Sequence, residues 1–524
     1  MLKKILTHIL LLALSPALVL GGTELGLRLF YADKLRTYFD EQTELVLKHP
    51  VPRKSPNEYR IFIFGGSAAY GFPVADRYSI AAWLRKEFPY LLPQKKIQVM
   101  NCAWPGKASH HVLEGAHVVL KYQPDLFVIY SGHNDTVVDN RLFLDNWLYW
   151  LNLRLTFRSA LYRFLQKRIT KLRKHFVYGR SGYAEKHYRE EVIAKKVYKK
   201  IEVSDQEYQH ILTRYRQNMT AVIQLAKRHG VDVLFVNLPS NLRDILPSAS
   251  VHALNLDASV LKEWEAFFER GKKLESEGRF EEALGFYKQA AAIDSTYAEL
   301  QYRMGTCFER VREYDSAKKA FTLARDYDAL PWRAKSSLNQ TVRDLSAKND
   351  LILVDIVHTL EQVSPHGIIG AEMIYDNVHP SIKAEQLIAD DIAKALQQRN
   401  KIAPADQWQW HALEAARENQ DSDVWKVDGS LNAYRYVLKG LHSWEHGRFE
   451  DAVVNLEKGL ELMPAFIESY AFLGDAYWHL GKLEKASQAF QTLGGKDSTL
   501  LNVLVRKYPD IKQSYAQIAQ THVA

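Results

Sequence analysis

A chain of 524 residues is too long for one hydrophobic core, and 47% hydrophobic with 25% charged residues is the balance of a folded, multidomain protein. Its two cysteines, Cys102 and Cys307, exclude a disulfide framework and a cysteine-rich zinc site, and neither a Walker-type phosphate loop nor a strand-linked GxGxxG occurs. The net charge of +8 is regional: residues 151–200 hold 15 Lys and Arg against 3 Asp and Glu, which leaves the remainder at −4 and argues against a nucleic-acid partner.

At the amino terminus, Lys3 and Lys4 precede an apolar run from Ile5 to Gly22, roughly the length a bilayer core requires. The run ends without a small-x-small cleavage site, so residues 1–30 read as an uncleaved signal anchor and transmembrane helix. The two lysines stay cytoplasmic and the body is extracytoplasmic. Sparse cysteine usage fits a bacterial periplasm.

Five short runs rich in Val, Ile, Leu and Phe follow in order, at Arg60–Phe64, Ile97–Asn101, Leu126–Tyr130, Val233–Leu238 and Leu351–Ile356. They lack alternation, as strands covered on both faces do. Helical patterns separate them, at Ile80–Lys86, His110–Tyr122, Gln206–Arg228 and Arg333–Ala347, with a last one at Ile382–Gln398. Strand–helix alternation predicts a three-layer α/β domain with a five-stranded parallel sheet, whose ligands bind beyond the carboxyl ends of the strands.

Two insertions interrupt this pattern. Residues 141–205 run from an aromatic front, Leu142–Phe157, into a basic segment in which Leu161, Phe164, Leu165, Arg168 and Leu172 share one helical stripe. Such a stripe suits either a membrane interface or a solvated helix packed on its own domain. Residues 258–335 repeat at an offset of 34: Gly271, Phe280, Ala283, Tyr287 and Ala290 return as Gly305, Tyr314, Ala317, Phe321 and Ala324. The carboxyl-terminal region does the same, with Gly440, Gly447, Phe449, Ala452 and Leu456 returning as Gly474, Gly481, Leu483, Ala486 and Phe490. That period and residue pattern predict all-α tetratricopeptide (TPR) hairpins, inserted and carboxyl-terminal, that bind a protein partner or shape a cleft.

Four blocks fall at the expected ligand edge. Gly65-Gly66-Ser67 follows the first strand, and glycines beside a serine let the backbone approach a substrate and present Oγ. Gly106 follows the second strand and offers a bare N–H, while Asn134 after the third offers an amide; with the Ser67 N–H they form a set of oxyanion donors. Asp376 and His379, three apart before the last helix, allow a carboxylate to hold Nδ1–H while Nε2 serves as base. Each block alone has a plainer reading. Gly-Gly-Ser and Gly-His-Asn-Asp are ordinary turns, and Asp-x-x-His-Pro is also a helix-start loop. His366 could compete as base but lacks an Asp three residues before it, and Tyr70 and Trp104 suit core packing better than a sugar platform.

At these residues the chain resembles the SGNH (GDSL-type) hydrolase superfamily, over about 31–257 and 336–400, with the blocks in the family's order. The resemblance implies a flavodoxin-like domain with Ser67 as nucleophile, Gly106 and Asn134 as oxyanion donors, His379 as base and Asp376 as its orienting acid. The family's Gly-Asp-Ser is here Gly65-Gly66-Ser67, a departure that bears on the lipase label more than on the triad. Ser240–Asp244 resembles a segment of relatives fused to TPR repeats, with Arg243 a candidate for an anionic substrate group. The expected organisation is an anchor at 1–30, hydrolase parts at 31–257 and 336–400 around a repeat pair at 258–335, a linker at 401–428 and repeats at 429–524.

The expected activity is a serine esterase with no cofactor and no metal, acting on O-acetyl groups of an envelope or exported polysaccharide. Its substrate is an ester-bearing glycan or lipid, and its membrane link is the N-terminal helix. The rivals are an O-acyltransferase with the same triad, a lipid acylhydrolase, and a non-catalytic TPR scaffold for envelope assembly.

Overall fold

The computed structural model describes residues 23–25, 27, 54–73, 75–136, 151, 154–156, 158–178, 203–253, 256–418, 433–441, 443–444, 447–464 and 466–521. They contain a five-stranded parallel sheet of β1 Glu58–Gly65, β2 Lys96–Asn101, β3 Leu126–Tyr130, β4 Asp232–Val236 and β5 Ile352–Val354. The order is β2-β1-β3-β4-β5, the flavodoxin-like arrangement of the α/β class. Ile61, Phe62, Ile63 and the whole of β3 are buried, which is why these runs read as continuous rather than alternating.

Strand β5 ends earlier than its apolar run suggested, because Asp355 caps a helix at Ile356–Val363 by accepting from the His358 N–H. Asn237 Nδ2 donates to the same carboxylate at 2.5 Å. The amino-terminal edge of the sheet is locked by charge. Buried Glu58 and Arg60 pair at 2.5 Å, and Arg60 donates to the Tyr122 carbonyl at 2.7 Å. Burial alone would raise the Glu58 pKa, but Arg60 and Lys96 hold it down at about 2.

The chain forms two compact units, Met1–Tyr70 with Lys95–Val236 and Gln340–Ile352, and Gly71–Gln94 with Asn237–Asn339 and Leu353–Ala524. In the first, helix Ser109–Val119 packs on helix Asp205–Arg228, whose start is capped reciprocally by Ser204 and Glu207. In the second, helix Ile382–Gln398, capped by Ser381, packs on helix Ile80–Leu91, capped by Ser79.

The second unit also holds the repeat helices: Ala258–Ser276, Phe280–Ile293, Ala298–Arg310 and Tyr314–Asp326, then Phe449–Leu462, Ser469–His479 and Leu483–Lys496. The 34-residue register has a physical cause here. Gly271 lies under the Tyr287 ring, Gly305 under Phe321, Gly440 under Leu456 and Gly474 under Phe490, each pair joining two helices of one hairpin.

The expected anchor over 1–30 lies outside the described residues except for Thr23–Leu25 and Leu27. Among the described residues no helix is long and apolar enough to cross a membrane. Of the 141–205 insertion, Ala160–Tyr178 is a helix, and most of the aromatic front lies outside the described residues.

Candidate active site

Strand order 2-1-3-4-5 puts a topological switch between β1 and β3, the place where such sheets bind ligands beyond their carboxyl ends. There Gly65 pairs in register with Tyr130. A side chain at Gly65 would meet the Tyr130 carbonyl at 2.1 Å, so only glycine lets β1 leave the sheet here. Ser67 opens a short helical turn, Ser67–Tyr70, closed by Tyr70 N–H donating to the Gly66 carbonyl at 3.0 Å.

Within this unit the structure brings together Gly66, the Gly106 loop and Asn134. Asn134 Nδ2 donates to the Lys107 carbonyl at 3.0 Å, which assigns the amide so that its NH₂ lies beside Gly66. Gly106 adopts φ +74° in the turn after β2, a left-handed conformation that suits glycine. That turn is pinned by Trp104 N–H to the Gly65 carbonyl (3.1 Å) and Lys107 N–H to the Trp104 carbonyl (3.2 Å). Asn101 accepts from Ala103 N–H at 3.1 Å and donates to the Tyr70 carbonyl at 3.3 Å, tying the β2 and β1 exits. Tyr70 and Trp104 form a tilted ring pair at 6.0 Å.

Beneath these loops lies a buried network that the sequence did not single out. Asp135, next to Asn134, accepts from Ser109 N–H at 3.1 Å and from the Ser109 hydroxyl, which itself accepts from Asn218 Nδ2 at 2.9 Å. Burial pushes the Asp135 carboxyl up to about 6 despite the Ser109 bonds. Ser109 begins the helix three residues after Gly106, so one carboxylate joins the Gly106 loop to Asn134. The only sequence signal was a serine at a helix start. The His110 and His111 rings lie tilted against each other at 3.8 Å on the same turn, and burial pushes them down to about 4 and about 2.

The second unit holds Asp376 and His379. His379 Nδ1–H donates to Asp376 Oδ2 at 2.6 Å, and Asp376 Oδ1 accepts from the backbone N–H groups of Val378 (2.9 Å) and His379 (3.0 Å). Burial favours the neutral acid, but His379 and these backbone donors outweigh it and hold the Asp376 carboxyl below the usual range. The loop is closed by a bridge between Ile374 and Pro380, by Tyr375 N–H to the His379 carbonyl (2.9 Å), and by Asn241, whose Nδ2 donates to the Ile374 carbonyl (3.1 Å). Phe72 lies 4.7 Å from the His379 ring and 6.2 Å from Tyr434. Both aromatics escaped the sequence reading, since Tyr434 lies far beyond His379 in the chain.

Arg243 belongs to the same unit. It pairs with Glu372 and with Asp244 at 3.4 Å, while Lys439 reaches the other Asp244 oxygen at 3.5 Å. Its charge is thus met by the chain's own carboxylates. His366 stacks face to face on Tyr314 at 3.6 Å, in a packing role. Among the described residues no group of three or more His, Cys, Asp or Glu is arranged to hold a metal ion.

Residues 443–499 match the family model for the tetratricopeptide repeat. Helices Phe449–Leu462, Ser469–His479 and Leu483–Lys496 are TPR helices. No curated protein matches the chain. Among solved structures it is similar to a GDSL-like lipase from Bacteroides thetaiotaomicron (11% identity, 69% of this chain and 98% of that one, TM-score 0.30). It is also similar to the lipase/acylhydrolase from Enterococcus faecalis (12%, 65% and 96%, 0.29). A third is a catalytic mutant of an acetylxylan esterase from Geobacillus stearothermophilus (10%, 66% and 96%, 0.30). The fold class rests on the chain's own sheet order.

Proposed function

We propose that this chain is a serine esterase of the SGNH type that hydrolyses short acyl esters, acetyl above all, on an envelope or exported polysaccharide. The observation that carries the reading is the 2.6 Å bond from His379 Nδ1 to an Asp376 whose other oxygen is fully engaged by backbone. That arrangement fixes the imidazole tautomer with Nε2 as the basic nitrogen and stabilises the imidazolium that forms when it takes a proton.

In the proposed reaction, Ser67 Oγ adds to the ester carbonyl as its proton passes to His379 Nε2. The oxyanion accepts hydrogen bonds from the Ser67 and Gly106 N–H groups and from Asn134 Nδ2. Collapse expels the alcohol, which takes the proton back from His379, and an acyl-Ser67 ester remains. Water, deprotonated by His379, then adds to that ester, and collapse releases the acid as Ser67 Oγ takes the proton back from His379. The apolar Ile5–Gly22 run would hold the protein at the membrane with this body extracytoplasmic.

Labelling of the full chain with a fluorophosphonate probe, beside hydrolysis of p-nitrophenyl acetate and longer esters, tests the reading. Labelling and acetate turnover that vanish together in Ser67→Ala are the expected result. Labelling without turnover, rescued by a sugar acceptor, would replace hydrolysis by acyl transfer. A folded chain that neither labels nor turns over would leave only the scaffold.

A further inference from the structure

The carboxylate that caps the basic helix of the 141–205 insertion comes from the residue that leaves the apolar N-terminal run. Glu24, two residues beyond Gly22, accepts from Ala160 N–H at 2.8 Å, Leu161 N–H at 2.8 Å and the Ser159 hydroxyl at 2.9 Å. Ser159 Oγ in turn accepts from Tyr162 N–H at 3.0 Å. A carboxylate on three donors at a helix start is a favourable cap, since the helix dipole adds to the hydrogen bonds. Leu27, one turn further, packs on Ala160, Leu161 and Phe164. The start of helix Ala160–Tyr178 is thereby fastened to the point where the apolar run ends.

Two apolar side chains of that helix are open to solvent. Leu165 is 48% and Ile169 63% exposed, one turn apart on the same face. The spacing continues in the sequence at Leu172 and Phe176, an i, i+4, i+7, i+11 row. Arg163, Lys167, Arg168, Lys171, Arg173 and Lys174 occupy the intervening positions. An apolar row flanked by Lys and Arg buries its stripe in acyl chains while its cations meet anionic headgroups. A purely aqueous helix gains nothing by exposing Leu165 and Ile169 together.

We infer that helix Ala160–Tyr178 is a membrane-surface element that lies on an anionic phospholipid bilayer, placed there by the Glu24 cap at the end of the apolar run. The occupant is the lipid surface; the basic flanks favour it over a second copy of this helix, which would set like charges against each other.

The test uses the full chain reconstituted into vesicles of phosphatidylcholine alone or with about one-third phosphatidylglycerol. Amide hydrogen exchange is followed over the peptide that contains Leu165 and Ile169. The expected result is exchange slower by about tenfold on the anionic vesicles, an effect that fades as salt screens the headgroups. Leu165→Glu with Ile169→Glu should abolish the difference while the Ala160 and Leu161 amides stay protected by Glu24. If those capped amides lose protection as well, the helix itself has melted, and the pair Lys167→Gln with Arg168→Gln decides by its weaker response to anionic lipid. Equal exchange on both vesicle types would overturn the inference. So would protection that follows protein density at fixed lipid, which would mark a second copy.

Discussion

Gly66 lies against the carboxamide of Asn134 so closely that a Cβ there would stand 2.2 Å from Nδ2 and 3.2 Å from the Lys107 carbonyl that orients it. The Gly-Asp-Ser block that Gly65-Gly66-Ser67 resembles carries a side chain at this position. Here the space belongs to the proposed oxyanion donor. Gly66→Ala should therefore displace the Asn134 amide without disturbing the sheet. Loss of one such donor typically costs about 10²–10³ in kcat. Steady-state kinetics on p-nitrophenyl acetate should show a fall of that order with KM little changed. A Gly66→Ala protein of full activity would remove Asn134 from the oxyanion set.

Ser109 and Asp135 connect the two loops that supply the proposed donors, and neither would touch substrate in the proposed mechanism. Ser109→Ala leaves Asn218 Nδ2 without its acceptor and Asp135 with one donor fewer, a loss of about 1–3 kcal/mol for buried groups. Chemical denaturation should register that loss. A positioning role adds a second signature: kcat falls more than KM rises, and Ser109→Thr, which keeps the hydroxyl, restores kcat. Destabilisation with unaltered kcat would make the network purely structural.

Much of this was legible in the chain. The places of the strands follow from apolar runs that stay buried on both faces, as Ile61–Phe64 and Leu126–Tyr130 do. The glycine-to-ring pairs Gly271–Tyr287 and Gly305–Phe321 appeared as a 34-residue echo before any helix was placed. Asp376 and His379 were readable because three residues of one loop suffice to bring them together. The Ser109–Asp135–Asn218 network was not, since its members come from three elements and Ser, Asp and Asn each have commoner local uses. Arg243 read as a candidate for an anionic substrate group, and its ion pair with Glu372, far off in sequence, is visible only in the fold. The capping role of Glu24 was not legible either, because its partners lie more than a hundred residues away.

Acid should act on the chain through Asp376. Its folded pKa lies below the unfolded value of about 3.9 because His379 and two backbone N–H groups favour the ionised form. A depressed carboxylate stabilises the fold fully above the unfolded pKa, and the contribution is lost as pH falls through the folded value. Denaturation midpoints of the native chain should therefore drop as pH is lowered below about 4, and Asp376→Asn should lack that component of the drop. At neutral pH the same variant should lose activity by about 10³–10⁴, because the Val378 and His379 N–H groups hold the amide oxygen and leave its NH₂ to donate to Nδ1, which imposes the wrong imidazole tautomer. An Asp376→Asn protein with native acid sensitivity would remove Asp376 as its source.

The inserted hairpins offer a test of packing against backbone strain. At Gly271 an added methyl would lie 2.4 Å from the Tyr287 ring, and at Gly305 it would lie 2.7 Å from the Phe321 ring, each between two helices. Overfilling a packed contact of this kind costs about 1–3 kcal/mol, so Gly271→Ala and Gly305→Ala should each lower the midpoint of the transition that unfolds these helices. Arg312 poses the opposite case. It sits at the turn between Ala298–Arg310 and Tyr314–Asp326 with φ +65°, and 34 residues earlier the same turn is made by Gly278 with φ +75°. A left-handed conformation costs an L-residue with a side chain about 1–2 kcal/mol, part of which glycine gives back as unfolded-state entropy. Arg312→Gly should accordingly stabilise the hairpin by up to about 1 kcal/mol even though it removes a long side chain. Opposite signs for Gly271→Ala and Arg312→Gly in one denaturation series would tie the repeat's glycines to their two separate causes, a close helix approach and a left-handed turn.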